Sequence, residues 1–208
     1  MNPGYLSLLL LVISLILFAS GWKDFILRGI THPSLLLFFV CWLLATPLSV
    51  TIGSYRVFLC VPLLLCCYLR IWYQVRAWMV RLHALSVSLL LGSVTFFLRE
   101  TLHLLPSMII VNQQVTMALF IGILAAGLIR NPIVQVANVS MGLLIGETMF
   151  HYSHLQQAPF VLGGTSFQDL WWTTVFAARG SSLVLSGFLF GIRRSAEGIW
   201  ELVKQRRD

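Results

Sequence analysis

The stretch IVQVANVSMGLLIGETMF, residues 133–150, decides the fold. It carries one formal charge, Glu147, and is bounded by Arg130, Asn131 and Pro132 on one side and His151 on the other. As a helix rising about 1.5 Å per residue it is about 27 Å long, close to the roughly 30 Å of a bilayer's hydrocarbon core. Such a run reads as a membrane span.

Six further runs of the same character surround it, at residues 5–22, 33–52, 57–73, 82–98, 115–129 and 170–192. Lys23, Asp24, Arg56, Arg99, Glu100, Arg130, Arg193 and Arg194 punctuate them. The expectation is an all-α polytopic bundle of seven spans. Residues 101–111, interrupted by Pro106, are too short to cross and form an interfacial piece or a backward extension of the fifth span. Residues 1–5 lack Lys and Arg and no A-x-A site follows the first run, so that run reads as an uncleaved span. Pro47 and Pro62 fall inside expected spans as tolerated kinks.

The charges orient the bundle. With the N-terminus outside, the inner segments collect 11 of the 14 Lys and Arg residues, the outer segments only Arg56 and Arg99, and Arg179 lies within the seventh span. This is the bias of positively charged cytoplasmic loops. The reading is N-out and C-in. Residues 1–208 form a single integral membrane domain, and 193–208 a short basic cytoplasmic tail, either an amphipathic surface helix or a continuation of the seventh.

Bulk composition agrees. The chain is 58% hydrophobic and 10% charged, with a mean hydropathy of +0.88. A soluble domain carries about 25% charged residues, so a cytosolic enzyme, a disordered chain and a secreted disulfide scaffold are excluded. The net charge of +7 is a topology signal, and no nucleic-acid partner is expected. Cys41, Cys60, Cys66 and Cys67 sit in apolar runs as small hydrophobes, with acylation of the adjacent pair the alternative.

Ionisable residues at membrane depth are the candidates for function. Glu147 and Arg179 both read as lying in the outer half, and an ion pair between neighbouring helices is the economical explanation; a solute or proton site around the pair is the sharper one. Glu147, His151 and His154 lie at i, i+4 and i+7, one helical face if the helix continues, and Glu100 with His103 supplies a second pair. Imidazole and carboxylate at that spacing are candidate ligands for a divalent metal. The alternative is interfacial side chains facing water. Gly142-x-x-x-Gly146 and Gly187-x-x-x-Gly191 permit close helix approach, either within the bundle or between two copies. Trp171 and Trp172 read as interfacial aromatics. No nucleophile elbow, P-loop, dinucleotide fingerprint or haem motif is present, so no cofactor is expected.

Ser20-Gly21-Trp22-Lys23 and Asp169-Leu170-Trp171-Trp172, with the span pattern, give the chain a resemblance to the small multi-pass membrane proteins of Gram-positive bacteria of the YphA type. The resemblance implies a bacterial plasma-membrane protein without assigned chemistry. The functional expectation is a structural or accessory protein acting through lipid, a second copy or another membrane protein. The alternatives are a small-solute or cation transporter using Glu147 and Arg179, and a membrane-embedded metalloenzyme.

Overall fold

The structure, a computed structural model, describes residues 3–22, 26–27, 29–53, 55–75, 77–104, 109, 112–154 and 160–205; the side chains of Ile52, His103, Leu189, Ile192, Arg193 and residues 195–205 lie outside that description. The fold is helical. Its elements are α1 (Tyr5–Ala19), α2 (His32–Ala45), β1 (Ser49–Ile52), β2 (Tyr55–Phe58), α3 (Cys60–Gln74), α4 (Trp78–Leu104), α5 (Gln113–Leu128), α6 (Pro132–Ser153), β3 (Phe160–Leu162) and α7 (Thr165–Gln205). Among the described residues two helices, α4 and α6, are long and apolar enough to cross a membrane. Helices α1, α2, α3 and α5 are shorter apolar helices of 14 to 16 residues.

The two prolines explain part of the shortening. α2 stops before Pro47, whose ring clashes with a preceding carbonyl and disfavours helix at the residue before it. Pro62 falls in the first turn of α3, where the missing N–H would have had no partner. Neither is a mid-helix kink. Between them the β-branched and aromatic residues of 49–58 form a hairpin. It pivots at Gly53, whose φ of 61° is left-handed. Glycine adopts that conformation without steric cost. β3 then pairs parallel to β2, setting Tyr55 opposite Phe160 and Arg56 opposite Val161. This three-stranded sheet is an addition to the expected helical bundle. It joins the α2–α3 connection to the α6–α7 connection.

Glycines set the tightest contacts. α4 and α6 run parallel, and an added Cβ at Gly142 would lie 2.6 Å from Leu91 Cβ, at Gly146 2.6 Å from Thr95 Cβ, and at Gly92 2.6 Å from Ile145 Cγ2. The Gly142/Gly146 stripe is therefore filled from within the chain. Gly122 of α5 meets α7 in the same way, 2.7 Å from Ala177 Cβ. At Gly187 and Gly191 an added Cβ meets nothing within 4 Å.

Polar side chains knit the same helices together. Ser88 Oγ donates to Asn138 Oδ1 at 2.6 Å across α4–α6, and Trp171 Nε1 donates to Ser140 Oγ at 2.8 Å across α6–α7. Asp169 accepts from the backbone N–H groups of Gly4 at 2.7 Å and Ser7 at 2.6 Å. It thereby caps the N-terminus of α1 from another helix, where orphan donors and the helix dipole favour an anion. Trp171 and Trp172 are 2% and 3% exposed. They are core residues, not interfacial ones. Trp42 stacks on Trp171 with ring centres 4.6 Å apart, and Phe39 on Trp172 at 6.1 Å.

α7 continues unbroken to Gln205. The tail is thus an extension of the last helix as far as it is described.

Candidate functional site

Glu147 finds its counter-charge on α4, and it is Arg99. α4 begins at Trp78 and ends at Leu104, so Arg99 and Glu100 lie within it and not in a loop. The parallel packing of α4 on α6 brings Ser88 level with Asn138 and Thr95 level with Gly146. One turn further, the Arg99 guanidinium Nη1 meets Glu147 Oε2. Glu147 is buried. Its other oxygen, Oε1, lies 3.2 Å from His151 Nε2, and the Arg99 guanidinium sits 4.2 Å above the Phe150 ring. α6 does continue past Phe150, which makes the i, i+4 contact to His151 possible. His154 ends the helix and turns to Glu100 at 3.6 Å across the α4–α6 seam. His103 is in α4, with its side chain outside the described residues.

Both carboxylate oxygens of Glu147 are engaged within the chain. The cluster pins the ends of α4 and α6 together beside the sheet. Among the described residues no three His, Cys, Asp or Glu side chains stand together as metal ligands. Glu147 and His151 meet each other, and His154 turns away from them to Glu100.

The expected Glu147–Arg179 pair is not formed. α6 and α7 run antiparallel, with Ser140 at Trp171 and Gln135 at Ala178 and Ser182. Arg179 is thus level with Gln135, twelve positions from Glu147 along α6. At a helical rise of about 1.5 Å per residue, that separation is about 18 Å. Arg179 also lies deeper in α7 than the hydropathy suggests, because the helix starts at Thr165, ahead of its apolar run. The two charges occupy opposite halves of the bundle.

Arg179 is 8% exposed. Its Nη1 donates to Gln135 Oε1 at 2.8 Å, and the Gln135 amide donates in turn to Ser182 Oγ at 2.8 Å. Arg179 Nε has no hydrogen-bond partner among the described residues. No carboxylate pairs with it there.

Arg179 lines a cavity of about 690 Å³ between α1, α2, α3, α6 and α7. Most of the wall is apolar, from residues such as Leu64, Phe38 and Phe39. Tyr68 and Trp172 also line it; both are buried, and the Tyr68 hydroxyl and Trp172 Nε1 have no partner among the described residues. Exposed Ser34, Arg70 and Gln74 form its rim. The sequence signal for Arg179 is its depth; Gln135, Tyr68 and Trp172 give none beyond being polar or amphipathic residues in apolar runs.

Compared with known protein families, curated proteins and solved structures, the chain matches none.

Proposed function

We propose that the chain is a multi-pass integral membrane protein of the cell membrane with a binding or accessory role, its seven described helices all spanning, N-terminus outside and C-terminus inside. The observation that carries this is the apolar coat. Ile16 of α1, Leu36 of α2, Phe97 of α4, Ile123 of α5 and Val184 of α7 each leave more than half of their surface uncovered. Soluble monomers rarely expose contiguous apolar surface on that scale, whereas lipid covers it at no cost. The contacts support the alternation of spans: the connections α2–α3 and α6–α7 meet in the sheet, and the start of α1 meets the start of α7. These are the segments assigned to one face by charge.

Reporter fusions test it. Alkaline phosphatase joined after residue 53 should be active, and a fluorescent protein joined after residue 76, 130 or 208 should fluoresce. Phosphatase activity after residue 130 would overturn the seven-span reading.

The role is assigned to binding because the charges at the sheet end are engaged by side chains of α4 and α6, while at the other end Arg179, with no carboxylate partner among the described residues, lines a cavity.

A further inference from the structure

We propose that the cavity beneath Arg179 binds a single-chain amphiphile with an acidic head, a carboxylate or phosphate monoester, and an apolar tail. The inference deepens the binding role proposed above and rests on it. Three features carry it together. The first is charge. A guanidinium buried in an apolar wall without a counter-ion is costly, and an anion at that point relieves the cost. Gln135 supplies only a neutral acceptor to one of its nitrogens.

The second is the sign of the remaining polar groups. Arg179 Nε, the Tyr68 hydroxyl and Trp172 Nε1 can all donate a hydrogen bond. Each belongs to a buried residue and lacks a partner among the described residues. No Asp or Glu is among the described residues that line the cavity, and Arg70 adds a second cation at the rim. Three unpartnered donors on residues that line the cavity, with two cations, favour an acceptor-rich anion over a neutral ligand.

The third is shape. The cavity volume is about 690 Å³. Small-molecule sites ordinarily run to about 300–1,000 Å³. Its wall of Leu, Phe and Trp side chains matches an alkyl chain and not a free inorganic ion. The aromatic layer of Phe38, Phe39, Trp171 and Trp172 forms a rigid floor for that chain.

The test uses the full chain in a neutral detergent and reads tryptophan quenching, since Trp171 and Trp172 line the cavity. The probe is dibromostearate, displaced by stearate, by a monoacyl phosphate, by stearyl alcohol and by inorganic phosphate. Saturable quenching should be reversed by stearate or the monoacyl phosphate at concentrations at least tenfold below those needed of stearyl alcohol. The stronger of the two acids names the head group. Arg179→Gln should weaken stearate at least tenfold and leave the alcohol unchanged. Tyr68→Phe, which keeps the ring and its packing, should weaken stearate about threefold, so the site remains testable if the Arg179 variant does not fold. Arg130→Gln, outside the cavity, should leave displacement as in the parent chain. Equal displacement by acid and alcohol would overturn the proposal, as would displacement by inorganic phosphate at the concentrations at which stearate acts. Failure here leaves the reporter-fusion topology standing; failure there removes the membrane setting itself.

Discussion

The two ends of the bundle treat a buried charge in opposite ways. At the sheet end Glu147 is met by Arg99 across α4 and α6 and by His151 within α6, and Glu100 by His154, so each carboxylate has a partner in the chain. At the other end Arg179 is met by an amide and faces a cavity. Depth alone therefore does not separate a structural charge from a functional one. The separation lies in whether the neighbouring helix, in its actual register, offers a partner.

Helix spacing gives the largest way to break this comparison. Gly146→Leu drives a side chain into Thr95 beside the compensated cluster. It should lower stability by roughly 3 kcal/mol or more, read as lost thermal stability in detergent. Gly187→Leu enters open space. A substitution that meets no neighbour should change stability by less than about 0.5 kcal/mol. An equal loss in both would mean that the second stripe is also packed.

The charges come next. Glu147→Gln strands Arg99 without a counter-charge. The loss should be about 2 kcal/mol or more, since breaking a buried pair leaves an uncompensated ion. Adding Arg99→Gln should restore much of that loss, and a double-mutant cycle reads the coupling. The smaller of the two charge effects is expected at Arg179. Arg179→Gln strands no carboxylate among the described residues, so its stability should stay within about 1 kcal/mol of the parent chain. A large loss there would place a hidden anion of the chain itself beside it.

Much of this is legible in the sequence. Charge-poor runs locate the helices, because apolar length and bounding charges are local properties. The Gly142/Gly146 stripe marks a close contact. Four things are not legible in the same way. The hairpin hides inside an apolar count, although Val50-Thr51-Ile52-Gly53 followed by Tyr55, Val57 and Phe58 alternates around a glycine in the way a hairpin does. The partner of Glu147 depends on the parallel register of α4 on α6 and the antiparallel register of α7, and neither is written in any one segment. Trp171 and Trp172 read as interfacial because α7 starts five residues before its apolar run does, which moves both rings into the core. The cavity is invisible for the same reason as the pairing: five helices form it.

The Asp169 cap has a consequence for the order in which the molecule can be completed. Ser7 and Asp169 are 162 positions apart in the chain, yet the first helix receives its N-terminal hydrogen bonds from the last. During synthesis α1 is made first and stays uncapped until α7 arrives. α7 therefore completes the N-terminal turn of α1. A chain stopped before residue 169 would lack both of these hydrogen bonds at the start of α1.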